Sequence, residues 1–172
     1  MSLVKKKQCF SFHSLRPLHF AARHGHQLCL EILLEFGAEV GAGDFYDWQA
    51  IHEAAMYGRL DCLELLLENG AKVDAEAYNS NGPNTPLHYA ARHGHVKCVE
   101  LLLRNNANWN SCNRYGETPL HFTAMRGHVD CMQALVDAGI SLSTRNKLCS
   151  RQPRSKGFPA WEGTGGKFLR TR

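Results

Sequence analysis

The chain has 172 residues, of which 44% are hydrophobic and 21% charged, so it is long and apolar enough to bury a core. This composition excludes a chain that is disordered throughout, and no apolar run approaches the roughly 20 residues that a membrane-spanning helix needs. The net charge of +4 is unevenly distributed, because residues 11–145 carry 10 basic and 15 acidic side chains, a net −5, between two basic ends.

Residues 1–10 form a basic N-terminal segment with three consecutive lysines, Lys5 to Lys7. No long apolar stretch follows them, so a secretory signal is not expected. The chain also lacks an Asn-x-Ser/Thr sequon. Together these features favour a cytoplasmic and/or nuclear location, where the seven cysteines are expected to be free thiols.

Residues 11–145 contain a phrase that recurs four times and centres on a histidine. His19, His52, His88 and His121 are spaced 33, 36 and 33 residues apart. Two small residues follow each histidine closely, and a glycine comes six residues after it. Repetition at such a period is typical of stacked repeat units. We therefore predict four repeats at about 11–43, 44–76, 80–112 and 113–145.

Within each repeat the pattern predicts two short helices followed by a projecting loop. Thr85 and Thr118 are suited to cap a first helix, and a proline suits its first turn in three repeats. The glycine in mid-repeat suits a left-handed turn, and a closing glycine, or Asn106, suits the end of the second helix. One cysteine per repeat falls on the second helix and is expected to be a small core residue: Cys29, Cys62, Cys98 and Cys131.

The second repeat departs from this pattern at its beginning. Its phrase, Gln49-Ala50-Ile51-His52, has neither the threonine nor the proline, and its loop has Asp47 where glycine is usual. The longer spacing between His52 and His88 indicates three extra residues near 77–84, a stretch rich in Asn, Ser, Gly and Pro. We expect this insertion to lie in the projecting loop.

Residues 146–172 have no period and are rich in Gly, Ser, Pro and basic residues. Seven Lys and Arg stand against Glu162 alone, which gives this segment a charge of +6. The composition predicts a basic disordered tail. Its charge leaves open, as an alternative function, a nucleic-acid-associated regulator that makes weak contacts through the tail. The acidic repeat body argues against nucleic-acid binding by the repeats themselves.

No pattern in the sequence supports catalysis or a cofactor. The four recurring cysteines lack the close CxxC spacing of a zinc site, and the glycine between His24 and His26, or between His93 and His95, is the turn itself. The segment around Lys167 lacks the spacing and the Ser or Thr of a phosphate-binding loop. We therefore predict that the protein is not an enzyme and has neither a cofactor nor a metal site.

The combination of Thr-Pro-Leu-His, Ala-Ala, Gly-His, a Leu-rich helix and a closing Gly-Ala resembles the ankyrin repeat. The resemblance covers about residues 11–145 and implies an all-α ankyrin solenoid of about four helix–turn–helix units with projecting loops. It also implies that the recurring histidine hydrogen-bonds the loop backbone. Proteins of this family serve as adaptors, scaffolds and inhibitors that bind another protein on the concave face and the loop tips.

Carried over by repeat position, the resemblance implies a partner-binding surface on the loop tips and the ends of the first helices. The types of side chain there match those enriched at binding hot spots. For Trp48 a second interpretation stays open, in which the ring packs between neighbouring loops. The implied partner-binding residues are Arg23, Phe45, Tyr46, Trp48, Met56, Tyr57, Arg92, Arg114, Tyr115 and Arg126.

Overall fold

The computed structural model describes residues 16–80 and 82–139. These residues contain eight short helices in four pairs and one small hairpin. The elements are α1 Pro17–His24, α2 Gln27–Glu35, α3 Ala50–Met56, α4 Leu60–Glu68, β1 Ala77–Asn79, β2 Gly82–Asn84, α5 Pro86–His93, α6 Val96–Arg104, α7 Pro119–Arg126 and α8 Val129–Asp137.

The four helix pairs stack side by side in chain order. Each odd-numbered helix packs against the next odd-numbered helix, and each even-numbered helix against the next even-numbered one. The two rows also contact each other within every pair, so the core runs along the whole stack. This arrangement confirms the predicted all-α solenoid of helix–turn–helix units with projecting loops. A single pair could not cover its own apolar face, which is why the units stack.

Small residues in the first helix and large ones in the second build this core. Ala54, Ala55, Ala90 and Ala91 are fully buried where the odd-numbered helices approach each other. Cys62, Cys98 and Cys131 are buried as predicted. Cys29 is exposed, so its prediction as a core residue is wrong. It lies on α2, the first of the described even-numbered helices, where no earlier described helix packs against it.

The turn residues adopt the backbone conformations that the sequence predicted. Left-handed φ angles occur at the mid-repeat and closing positions: Gly25, Gly37, Gly58, Gly70, Gly94, Asn106, Gly127 and Gly139. Asp47 has a φ of 55° and so takes the same left-handed turn as Gly116, with a φ of 76°, in the fourth repeat. Asp and Asn tolerate this region better than most residues, which explains how the second repeat keeps its loop without glycine.

The recurring histidine connects each repeat to the next. Its Nδ1 accepts the backbone N–H of the residue that caps its own helix, for example Gln49 at 3.1 Å and Thr85 at 3.1 Å. The neutral ring therefore carries its proton on Nε2. That N–H donates to a carbonyl in the loop that precedes the next odd-numbered helix: His19 to Trp48 at 2.8 Å, His52 to Ala75 at 2.9 Å and His88 to Glu117 at 3.3 Å. We call these contacts the forward hydrogen bonds.

The inserted residues form a hairpin, which the sequence had placed only as loop. β1 and β2 are antiparallel, with Ala77 opposite Asn84. The hairpin bridges its neighbours, because the N–H of Tyr78 donates to the carbonyl of Tyr46 at 2.8 Å. On its other side, a Cβ at Gly82 would lie 2.7 Å from the Cβ of Arg114. Glycine there allows the third loop to lie directly against the fourth.

Several sequence-based expectations concern residues outside the described ranges. The basic N-terminal segment 1–10 and the basic tail 146–172 both lie there. Cys112, in contrast, lies within the described ranges. It is disulfide-bonded, so the expectation of seven free thiols is wrong at this position. Among the described helices, none has both the length and the apolar character to cross a bilayer.

Removal of a forward hydrogen bond should destabilise the stack. His52 is fully buried, so His52→Ala leaves the carbonyl of Ala75 and the N–H of Gln49 without this partner. We expect the free energy of unfolding in urea to fall by about 2–4 kcal/mol. His121→Ala is the matched control, since this equivalent side chain is exposed. Equal losses for the two variants would contradict the assigned role of the cross-repeat bond.

The stability of the stack should also fall in mild acid. Burial lowers the pKa of His52 and of His88 from 6.5 to about 4. Between these two pH values the unfolded chain binds protons that the folded chain does not, so stability is full above pH 6.5 and declines as the pH falls towards 4. Each histidine contributes up to about 3 kcal/mol to this decline. Urea midpoints measured across this range should decrease steadily, and a flat profile would contradict the burial of neutral rings.

Candidate protein-binding surface

The loop tip of the second repeat is a tight turn built by Asp44. Its carboxylate accepts the N–H groups of Tyr46 at 2.8 Å and Trp48 at 3.0 Å. The N–H of Asp44 in turn donates to the carbonyl of Trp48 at 3.1 Å. These bonds satisfy the backbone of the tip internally, so the side chains at its end are free to face the solvent.

The loop tip of the fourth repeat repeats this construction with Asn113. Its side-chain oxygen accepts the N–H groups of Tyr115 at 2.9 Å and Glu117 at 3.0 Å. Asn113 is buried and also donates to the carboxylate of Glu117 at 2.8 Å. The two tips therefore share one backbone design but differ in the side chains they display.

The tips place large side chains in the solvent. Phe45 is 78% exposed, Tyr46 41% and Tyr115 54%, and Arg114 is exposed beside them. The rings of Phe45 and Tyr46 meet edge to face with their centroids 5.3 Å apart. Tyr78, which was not predicted from the sequence, is 47% exposed on the hairpin beside Tyr46. The insertion hid this residue, because it shifts the loop out of the repeat register.

Trp48 occupies a different environment from the other aromatic residues of the tips. Its ring is only half-buried, but it packs edge to face on Tyr89 with the centroids 4.7 Å apart. It also lies 5.3 Å from the ring of His52. Tyr89 is held by Asn79, whose amide donates to its hydroxyl at 3.0 Å. Trp48 thus packs against the first helices of the second and third repeats, α3 and α5, and through Tyr89 it is connected to the inserted hairpin.

The ends of the first two odd-numbered helices form a linked pair. Arg23 donates to the hydroxyl of Tyr57 at 2.7 Å, and its guanidinium lies 4.9 Å from the centre of that ring. Both side chains are half-buried, as is Met56 beside them. The contact orients the cation across the groove between two repeats, and part of each side chain stays accessible to a partner.

The later odd-numbered helices present two further arginines. Arg92 is half-buried and its guanidinium lies 5.7 Å from the centre of the Phe122 ring. Arg126 is exposed, and Met125 next to it is 59% exposed. Arg23, Arg92 and Arg126 thus lie in the last turns of α1, α5 and α7, with Arg126 one position later than the other two, and we call these three residues the arginine row.

Charge is divided between the two rows of helices. Apart from Glu53, which is 4% exposed, the odd-numbered helices contain no acidic residue. The acidic residues of the even-numbered helices are Glu31, Glu35, Asp61, Glu64, Glu68, Glu100, Asp130 and Asp137. The arginine row therefore lies on the cationic side of a body whose net charge is negative.

A second set of cross-repeat bonds, which sequence analysis missed, fixes the helix ends of this surface. His95 Nε2 bonds to the carbonyl of Met56 at 3.0 Å, and His128 Nε2 bonds to that of Arg92 at 3.1 Å. In the second repeat, Arg59 donates to the carbonyl of Arg23 at 3.1 Å. We call these contacts the backward hydrogen bonds. The Gly-His pair that recurs in the first, third and fourth repeats could have indicated these bonds from the sequence.

The paired histidines around each turn have structural contacts. The rings of His24 and His26 stack with centroids 5.8 Å apart, and those of His93 and His95 with centroids 6.3 Å apart. Within residues 16–80 and 82–139, no group of three or more His, Cys, Asp or Glu side chains is arranged to hold a metal ion. Burial raises the pKa of the Cys98 and Cys131 thiols to about 11, which keeps them protonated at neutral pH.

Comparison with known families gives one match along this region. A family model described as "Ankyrin repeats (3 copies)" matches residues 3–77 and again residues 74–146. The two matches together cover well over half of the chain and include every helix described above. No curated protein matches the chain.

The glycine beneath each backward hydrogen bond should be required for the geometry of the surface. A Cβ at Gly58 would lie 2.5 Å from Nδ1 of His95, whereas one at Gly127 would meet nothing within 4 Å. Both glycines have a left-handed φ, so both alanine variants carry backbone strain of about 1 kcal/mol. We expect Gly58→Ala to lower the free energy of unfolding by about 1–3 kcal/mol more than Gly127→Ala. Equal losses in urea denaturation would contradict this packing.

Proposed function

The chain belongs to the ankyrin-repeat family, and from that premise we propose that it is a non-catalytic adaptor, scaffold or regulator that holds a partner protein. Ankyrin repeats are generally protein–protein interaction modules. We assign the partner to the concave face and the loop tips, over the ten residues singled out from the sequence. One observation carries this assignment above the others, namely the exposed aromatic side chains on rigid loop tips.

The exposure of these rings has an energetic cost that a partner would offset. Phe45 is 78% exposed although it is an apolar ring, and it adjoins Tyr46. Folded chains seldom expose adjoining large apolar side chains without a binding role. Because the tip backbone is already fixed by Asp44, a partner that covers the rings would lose little loop entropy on binding. We therefore place the apolar anchor of the partner over Phe45 and Tyr46.

The arginine row supports an acidic character for the rest of the partner segment. Arg126 is exposed, and Arg23 and Arg92 remain half-exposed while they lie over aromatic rings. Carboxylates are the natural partners of such guanidinium groups. Like charge would be repelled by the row, so the surface would also discriminate between partners by charge.

The proposal that the protein is not an enzyme is supported by the use of its ionisable side chains. Both ring nitrogens of His19, His52 and His88 form hydrogen bonds with backbone groups, so none of these rings has a free nitrogen for acid–base catalysis. The family is also typically non-catalytic. A cytoplasmic and/or nuclear location remains a proposal, and it rests on the features of the sequence described above. Fractionation of cells that express the full chain would test it.

Truncation of the aromatic anchor should remove the partner without unfolding the stack. We expect the double variant Phe45→Ala/Tyr46→Ala to weaken partner binding by about 2 kcal/mol or more, because rings at the centre of an interface contribute most to affinity. The measurement is quantitative capture of partners from cell lysate on the immobilised full chain, with the circular dichroism of both proteins compared.

Phe36→Ala is the matched control, since this ring is 86% exposed but follows α2, in the row of even-numbered helices, and is not part of a loop tip. It should retain the same partners as the unaltered chain. A double variant that captures every partner as well as the unaltered chain does would remove the loop tips from the proposed surface.

A further inference from the structure

The described part of the stack ends at α1 and α2 in a groove that has no cover. The groove measures about 420 Å³, and its exposed surface is almost entirely carbon. It is lined mainly by Pro17, Phe20 and Ala21 of α1 and by Cys29, Ile32 and Leu33 of α2. We call it the N-terminal groove.

In the later repeats the equivalent surface is covered by the preceding repeat. Cys62, Cys98 and Cys131 occupy the position of Cys29 in the later repeats, and each is at most 1% exposed. The preceding repeat provides the cover there, since each even-numbered helix packs on the one before it. Cys29 is exposed and Ile32 is 53% exposed, because among the described residues no earlier layer precedes α2.

The polarity around the groove also differs from that of the later repeats. Leu28 is 74% exposed at the position that is Asp61, Lys97 or Asp130 in the other three repeats. This position is exposed in all four repeats, so it lies outside the contact between neighbouring layers. In the first repeat it adds one apolar side chain to the exposed surface of α2.

We propose that the segment 9–15 of this chain folds back and docks in the N-terminal groove. The segment joins the stack at Arg16, next to Pro17 in the wall of the groove. It contains three large apolar residues, Phe10, Phe12 and Leu15, separated by small or polar ones. Seven residues span up to about 20 Å, which is enough to cross the two helices that line the groove.

Tethering favours this segment over a second copy of the chain. A segment attached within two residues of its site experiences an effective concentration of the order of millimolar. A second copy would have to compete with that at the much lower concentration of the protein itself. This interaction is independent of the partner surface proposed above, which lies on the loop tips and the concave face.

The reactivity of the Cys29 thiol reports whether the N-terminal groove is covered. We expect N-ethylmaleimide to alkylate Cys29 in the folded full chain at least about tenfold more slowly than in the same chain unfolded in urea. The rates are read from the Cys29 peptide by mass spectrometry. This protection should be unchanged across about a hundredfold dilution, because the segment is on the same chain.

The double variant Phe10→Asp/Phe12→Asp should abolish the protection of Cys29 while Cys62 stays unreactive, which reports that the stack remains folded. Phe158→Asp, an equal change in the other terminal segment, should leave the rate at Cys29 unaltered. If the double variant also exposes Cys62, the milder Phe12→Ser is tested by the same criterion.

Three results would overturn the proposal. The first is a Cys29 that reacts in the folded unaltered chain as fast as in urea. The second is protection that disappears on dilution, which would assign the groove to a second copy. The third is protection that survives the replacement of both phenylalanines while Cys62 stays unreactive.

Discussion

The structure depends on a histidine in each of the first three repeats that uses both ring nitrogens at once. Nδ1 fixes the start of its own helix, and Nε2–H reaches a carbonyl in the loop that precedes the next odd-numbered helix, as from His52 to Ala75 at 2.9 Å. One side chain thus specifies both the local fold and the position of the neighbour. For His52 and His88 burial lowers the pKa of the ring to about 4 and so keeps it neutral at physiological pH. Stacking and histidine neutrality therefore support each other.

The backward hydrogen bonds complete this constraint at the opposite end of the first helices. His95 and His128 reach to the repeat before them, so α3 and α5 are each held at the start by a forward bond and at the end by a backward one. The helix ends that carry Met56 and Arg92 are consequently fixed relative to the loop tips. A partner that contacts both regions would meet a surface whose parts are already in place, which lowers the entropic cost of binding.

Features fixed by the local backbone could be predicted from the sequence, and features fixed by a neighbouring layer could not. Asn106 was assigned to a left-handed helix end because few other residues tolerate that φ, and the structure has it at 62°. Cys29 matched the other three cysteines in sequence, yet its burial depends on what lies before α2. The hairpin at 77–84 also escaped prediction, because its pairing depends on the carbonyl of Tyr46 in another loop. The environment of Trp48 could not be predicted either, since its ring packs on Tyr89, a residue of the next repeat's first helix.

The two loop tips combine one backbone design with different displayed side chains. Asp44 and Asn113 make the same pair of bonds to their own loops, and Asp47 and Gly116 take the same left-handed turn. The residue that follows Asp44 is Phe45, and the residue that follows Asn113 is Arg114. The bonds made by Asp44 and Asn113 do not involve the side chain of that position, so the same turn accommodates an aromatic ring or an arginine. Selectivity would then reside in the order of displayed side chains along the stack, aromatic in the second repeat and cationic in the fourth, which a partner segment must match in sequence and in direction.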